Sequence, residues 1–377
     1  MEFSCKSKLL VVDDSAFMRK LISDFFVGNS KVEVVGTARN GKDALMKIQK
    51  LQPNVVTMDI EMPELNGLEA LNEIMSICPV PVVMLSSTTQ SGAENAIKAI
   101  EYGAVDFVTK PSGTISLDLY KIQEELVRKV EQAALVPISK LKKPSEKRQQ
   151  EPILISNNNR KKEFFTEARS TPIVEVKKQK VDWNRTSKKL VLIGTSTGGP
   201  RALQTVITKI PRNIQAPILI VQHMPAGFTK SLAIRLDQLS EIDVKEAEQG
   251  DILQNGVAYI APGGYHLKLK KIGTSYGIVL DNKELPRSGH RPSVDVMFEE
   301  ASQFKDFDKI AVIMTGMGND GSKGLKALKR SGNVMAIAES AETCIVYGMP
   351  KAAVETQLVD EVADIEDIAQ TIMKYLP

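Results

Sequence analysis

Cysteine is scarce in this chain: Cys5, Cys78 and Cys344 stand far apart among 377 residues and in no CxxC spacing. Three isolated thiols cannot build a disulfide framework or a zinc cluster, and they point to a reducing, cytoplasmic setting. Long apolar runs are missing too. No stretch approaches the roughly 20 residues that a membrane helix needs, so membrane insertion is not expected. The opening MEFSCKSKLLVVDD carries acids too early for a secretory leader. Histidine is as rare as cysteine, with only His223, His266 and His290, and they share no close ligand spacing for a metal. What remains is an ordinary globular composition, 42% hydrophobic and 25% charged, at a length that accommodates two domains with full cores.

The net charge of +3 invites a nucleic-acid reading, so its location matters. Residues 137–189 hold fifteen Lys or Arg against six Asp or Glu, a surplus of nine, which leaves the remainder of the chain at −6. The basic balance belongs to one segment and the expected folded parts are mildly acidic, which argues against a nucleic-acid partner.

Over residues 1–135, short apolar runs alternate with amphipathic stretches. Strands are expected at 8–12, 32–35, 55–58, 82–85 and 105–108, and helices near Ser15, Gly41, Gly67, Gly92 and Leu117. Five such βα units make a doubly wound parallel sheet. Polar residues cluster at the strand ends: Asp13 and Asp14 after the first, Asp59 after the third, Ser86 and Ser87 after the fourth, Lys110 after the fifth. Three carboxylates at one sheet edge repel unless a cation neutralises them, and a hard ion such as Mg²⁺ suits them. Asp59 is then a carboxylate nucleophile towards a phosphoryl donor, with Lys110 and the Ser86 hydroxyl placed to hold the transferred oxygens.

The segments VVDDS (11–15), MDIEMPELNG (58–67), MLSS (84–87) and FVTKP (107–111) resemble the receiver domain of two-component response regulators, a flavodoxin-like fold. The resemblance implies phosphorylation of Asp59 by a histidine kinase and Mg²⁺ held by Asp13, Asp14 and Asp59. It also implies a serine that reorients on phosphorylation, Ser86 or Ser87, with strand counting favouring Ser86. Residues 136–189 follow without sustained periodicity, rich in Lys, Pro, Asn, Gln and Ser, and are expected to form a basic interdomain linker.

From 190 to 377 the alternation returns. Runs at 190–193, 218–221 and 310–314 each lead into a polar turn: Gly194–Gly199, Gln222–Pro225 and Thr315–Gly321. Residues just past the carboxyl ends of parallel strands converge on one crevice, which would receive Ser196, His223 and Asp320, the ingredients of a nucleophilic triad. Further strands are expected at 257–260, 266–269 and 276–279, giving a mostly parallel sheet with an antiparallel edge. Ser196 alone also fits a helix N-cap. Among the histidines, His266 has the alternation of an ordinary strand residue and His290 is better placed for substrate contact. His223 ends a strand beside the serine turn and suits proton transfer. The loop Gly316–Gly321 also fits a dinucleotide fingerprint, with Glu339 where a ribose-binding acid belongs. A carboxylate at Asp320 would, however, face the pyrophosphate it should attract, which favours Asp320 as the residue orienting His223.

The motifs IGTSTGGP (193–200), QHMPAGFT (222–229), APGGYH (261–266), HRPSVDVMF (290–298) and TGMGNDG (315–321) resemble the catalytic domain of the CheB family, the protein-glutamate methylesterases of bacterial chemotaxis. That resemblance implies Ser196 as nucleophile, His223 as general base and acid, and Asp320 as the residue fixing the histidine. It implies methyl-accepting chemoreceptors as substrates, demethylated at glutamate γ-methyl esters and deamidated at selected glutamines, with no cofactor for the ester hydrolysis. The backbone amides around Thr197, Gly198 and Gly199, or around Met317 and Gly318, are the candidate oxyanion donors. The receiver domain is expected to cover the crevice until Asp59 is phosphorylated. A nicotinamide-nucleotide enzyme and a DNA-binding response regulator are the alternatives.

Overall fold

The computed structural model describes residues 6–110, 116–141, 183 and 187–377, with side chains of 116–121 excepted. Most of the stretch expected to be a basic linker, and Cys5, lie outside the described residues.

Five βα units build the first sheet from β1 (Ser7–Val12), β2 (Val32–Ala38), β3 (Val55–Asp59), β4 (Val82–Ser86) and β5 (Asp106–Thr109). Its order is β2-β1-β3-β4-β5, parallel throughout. The inner strands are buried on both faces, hence the unbroken LLVV and VVMLS runs. Helices α1 (Ala16–Phe25), α2 (Gly41–Leu51), α3 (Gly67–Ile77), α4 (Gln90–Glu101) and α5 (Ser116–Ala133) cover the faces. Four of them start on side-chain caps: Ser15, Asn40, Asn66 and Thr89 each accept from a backbone N–H two or three residues into the helix, and Asn66 with Glu69 forms a capping box. A single 3₁₀ turn, Ile138–Lys140, follows.

The second sheet is larger. Strands β6 (Lys189–Thr195), β7 (Ile218–Gln222), β8 (Asp243–Glu246), β9 (Val257–Ile260), β12 (Asp308–Ile313), β13 (Val334–Glu339) and β14 (Glu361–Ala363) run in the order β14-β13-β12-β6-β7-β9-β8. Every pair is parallel. The antiparallel pair expected at an edge is instead a separate hairpin, β10 (His266–Ile272) with β11 (Ser275–Asp281). Periodicity marks these two strands correctly but cannot say which sheet they join. Helices α6 (Gly199–Ile207), α7 (Phe228–Leu239), α8 (Val294–Ser302), α9 (Ser322–Ser331), α10 (Met349–Glu355) and α11 (Ile368–Lys374) complete the unit.

The two units meet through α4, β5 and α5 on one side and α7 with the polar turns on the other. Phe107 stacks on Phe228 with ring centroids 4.8 Å apart and planes at 12°. Arg235 makes a bidentate pair with Glu101, at 2.5 and 3.0 Å. Lys140 reaches across to the carbonyl oxygens of Ala341 and Cys344, at 2.8 and 2.7 Å.

Candidate active site and its companion acidic cluster

Each sheet has one switch point, where the chain stops adding strands on one side and continues on the other: between β1 and β3, and between β6 and β12. Crevices form there, beyond the carboxyl ends of the strands. Both groups of candidate residues sit at these two places.

At the first, Asp13 and Asp59 are buried and Asp14 is exposed. Each offers a carboxylate oxygen, and these lie within 4.8 Å of one another. Hard, anionic oxygen donors in such a group fit a Mg²⁺ ion that keeps part of its water shell. Lys110 closes the cluster at 2.9 Å from Asp13 and 2.7 Å from Asp59. Burial pushes the Asp59 carboxyl up to about 6; Lys110 opposes this, while the charge of Asp13 adds to it. The buried Ser86 hydroxyl donates to the carbonyl of Gly92 at 2.8 Å, whereas Ser87 shares a hydrogen bond with Thr89 at the start of α4. Immediately behind the Asp59 carboxylate, a Cβ on Gly67 would lie 2.0 Å from the Asp59 carbonyl oxygen. That contact requires glycine at the turn into α3.

At the second, Ser196 directly follows β6, His223 directly follows β7, and the loop after β12 carries Asp320. Register aligns Thr195 with Gln222, so Ser196 and His223 follow paired residues on adjacent strands. The His223 backbone N–H donates to Thr195 O at 3.2 Å, and Gln222 Nε2 donates to the carbonyls of Ser196 and His223 at 3.0 and 3.2 Å. Serine and histidine are thereby bolted together through their main chains. Ser196 is tied to the third loop by its N–H to Thr315 O at 3.0 Å. A Cβ on Gly316 would fall 2.8 Å from the Cβ of Ser196, so the loop closes this tightly only with glycine there.

Asp320 is saturated. Its Oδ1 accepts from Ser293 Oγ at 2.9 Å and from the N–H groups of Asp295 at 2.9 Å and Gly321 at 3.1 Å. Its Oδ2 accepts from Val294 N–H at 2.7 Å and His223 Nε2 at 2.8 Å. Burial alone would raise this carboxyl, but the hydrogen bond and charge of His223, with the backbone donors of Asp295 and Val294, hold it well below the usual carboxylate range. Those donors are the free N–H groups of the first turn of α8, a helix terminus that favours an anion. An ionised carboxylate only accepts, so His223 Nε2 must carry a proton, and in the neutral ring Nδ1 then carries the lone pair. His223 Nδ1 is buried with no partner among the described residues.

Among the proposed oxyanion donors, Gly199 N–H is already given to the Ser196 carbonyl at 2.7 Å. The turn into α6 consumes it, so Gly199 leaves the set. Thr197 and Met317 border the same cavity as Ser196 and His223, which Gly198 does not. The N–H groups of Thr197 and Met317 have no acceptor among the described residues. This cavity holds about 620 Å³, and its other wall is α5, with Glu124, Arg128 and Lys129.

The dinucleotide alternative loses its ribose anchor. Glu339 is buried, accepting from Thr315 N–H at 2.7 Å and Thr343 Oγ1 at 3.1 Å, and is not available to a ribose.

Sequence reasoning left several partners unseen. Ser293 reads as a cap for α8 and is one, but its hydroxyl also donates to Asp320. Asp295 accepts from Gly321 and Gly324 N–H at 2.9 and 2.7 Å, capping α9 from a neighbouring helix. His290 lies flat on His223. The clustering of Ser293 and Asp295 just after His290 was the one available signal.

Residues 191–372 match the family model described as CheB methylesterase, and residues 9–119 match the response regulator receiver domain. A curated protein of Halalkalibacterium halodurans, named protein-glutamate methylesterase/protein-glutamine glutaminase, is 54% identical over 97% of this chain and 97% of its own. The protein of the same name from Bacillus subtilis is 51% identical, again over 97% of both. The crystal structure of the Thermotoga maritima CheB methylesterase catalytic domain is 46% identical over 50% of this chain and 100% of that one, with a TM-score of 0.48.

Proposed function

The chain belongs to the CheB family of protein-glutamate methylesterases/protein-glutamine glutaminases, and from that membership we propose that Ser196, His223 and Asp320 are its reacting triad. The observation that supports this most is the 2.8 Å pair between His223 Nε2 and an Asp320 saturated by the first turn of α8, on the strand beside Ser196. Ser196 Oγ attacks the γ-ester carbonyl of a chemoreceptor glutamate while its proton passes to His223 Nδ1. The N–H groups of Thr197 and Met317 meet the oxyanion. Collapse breaks the ester C–O bond, and the leaving methoxide takes the proton from Nδ1 as methanol. Water then yields a proton to Nδ1 and its oxygen to the acyl carbon, and Ser196 recovers its proton as glutamate leaves. A glutamine substrate follows the same course with ammonia leaving. The test is methanol release from methylated receptor membranes by wild type and Ser196→Ala; equal release would remove Ser196 from the mechanism.

The receiver unit gates this chemistry. Residues 1–135 act as receiver, 190–377 as enzyme, and 136–189 as their tether. Asp13, Asp14 and Asp59 would hold Mg²⁺, and the bound ion supplies charge neutralisation for phosphoryl transfer from a histidine kinase. Asp59 takes the phosphoryl group, and Lys110 and Ser86, once its hydroxyl leaves the Gly92 carbonyl, hold the transferred oxygens. With α5 forming one wall of the cavity, the assembled arrangement restricts entry of a receptor helix, and phosphorylation shifts the population towards the open one. No described helix is long and apolar enough to cross a membrane, and the reading assigns the enzyme to the cytoplasm, acting on the cytoplasmic helices of receptors.

A further inference from the structure

His290 has no part in the mechanism above, yet the fold holds it with unusual care. It closes a tight turn: Arg287 N–H donates to His290 O at 3.0 Å and His290 N–H to Arg287 O at 2.9 Å, with Ser288 and Gly289 both at positive φ. The turn is fastened from three sides. Arg287 pairs with Glu284 at 2.9 Å and with Glu299 of α8. Arg291 donates to the carbonyls of Asn282 and Glu284 at 2.6 and 3.0 Å. Buried His266 holds the carbonyl of Leu285 at 3.2 Å. A loop fixed this way presents His290 in one place, flat against His223, with ring centroids 3.9 Å apart and planes at 8°.

His223 needs such a neighbour. The bond from Nε2 to Asp320 anchors one corner of the ring, and a single hydrogen bond leaves the plane free to rock about it. We propose that His290 is a positioning residue for the ester hydrolysis: its ring fixes the plane of His223, keeps Nδ1 aimed at the serine side of the cavity and excludes water from the ring face. This rests on the reading of Ser196 and His223 as nucleophile and base.

The surroundings also settle which imidazole takes the proton. Burial pushes His290 down to about 3, and the positive charges of Arg128 and Lys129 on α5 push the same way, against Asp320. His290 therefore stays neutral, and the serine proton travels to His223 Nδ1 and back. A neutral aromatic face against His223 also favours the imidazolium formed in that step.

The test uses the full chain treated with a small phosphodonor and two rates. One is methanol release. The other is labelling of Ser196 by an alkyl fluorophosphonate, which needs the serine and its base but no receptor. His290→Ala is expected to lower kcat and the labelling rate roughly 10- to 100-fold, with KM changed by less than about threefold. His290→Phe restores a flat face without a nitrogen and is expected to return both rates to within about threefold of wild type. Unchanged labelling of Ser196 in His290→Ala overturns the proposal. So does a phenylalanine variant no better than alanine, or a rise in KM with kcat intact, which would make His290 a substrate contact. Should the alanine variant not fold, His290→Leu replaces it, keeping bulk without the flat face. If wild type is not labelled, or Ser196→Ala is labelled as fast, the serine-esterase reading itself fails and takes this one with it.

Discussion

The two carboxylate sites of this chain occupy the same topological position and are finished in opposite ways. In the second sheet, Asp320 has five donors and holds its charge with no need of a ligand. In the first, Asp13, Asp14 and Asp59 share Lys110 as their nearby cation, and burial pushes Asp59 upward rather than down. A triad must be preorganised before substrate arrives, because reorganising charge during the reaction raises the barrier. A phosphoryl acceptor must instead be incomplete, so that an ion and a phosphoryl group can finish it and thereby change the structure. Ser86 fits this contrast: its hydroxyl rests on the Gly92 carbonyl, away from its proposed partner.

The sharpest way to break the comparison is at the preorganised site. Ser196→Ala is expected to remove nearly all ester hydrolysis, by analogy with other triads a loss on the order of 10⁶-fold in kcat, measured as methanol release. Asp320→Asn should cost about 10³- to 10⁴-fold with little change in KM. Its amide nitrogen, placed where Oδ2 sits, faces the Val294 N–H and His223 Nε2–H, two donors against a donor. Relief comes only if His223 shifts its proton to Nδ1, the wrong tautomer for taking the serine proton. If Asp320→Asn keeps wild-type kcat, the carboxylate is a helix cap and nothing more.

Much of this was legible in the sequence because it follows from strand ends. The apolar runs located β1, β3, β6, β7 and β12, and parallel topology then carries Asp59, Ser196 and His223 to the crevices. Asp320 could be placed there too, and its carboxylate inside the glycine loop argued correctly against a nucleotide. Contacts between elements distant in the chain were not legible. The stacking of His290 on His223 depends on where the Arg287–His290 turn folds back. The commitment of Gly199 N–H to the Ser196 carbonyl depends on the exact closure of one turn. Strands β8 and β14 escaped notice because they are short edge strands with mixed polar residues, DVKE and EVA. The Arg235–Glu101 pair joins exposed-looking charges of two separate units and carries no local pattern at all.

The unfinished site should answer to different perturbations. Chelation of divalent cations, or Asp59→Asn, is expected to abolish stimulation by a small phosphodonor while leaving basal methanol release within about twofold, since no atom of that cluster touches the triad cavity. The loss equals whatever stimulation wild type shows. Chelation that lowers basal release would mean that the ester hydrolysis itself needs a metal, and the division of labour between the two sites would fall.

The finest test is of the contact that lets one site restrain the other. Arg235 and Glu101 form a bidentate pair at the rim of the interface, with Arg235 about two-fifths exposed. A half-exposed pair of this kind contributes about 0.5–1 kcal/mol. If the closed arrangement predominates and only the open one is active, removing that contribution raises the open population, and hence basal activity, about two- to fivefold. Arg235→Ala should therefore turn over methylated receptor faster than wild type without phosphodonor and approach the wild-type rate with it, because phosphorylation opens both. Glu101→Gln should do the same to a lesser degree, since an amide retains one hydrogen bond to the guanidinium. The double variant should add little to Arg235→Ala, as both remove one interaction. Additive increases would mean that the two residues restrain the enzyme through separate contacts, with the stack of Phe107 on Phe228 then the main bond between the units.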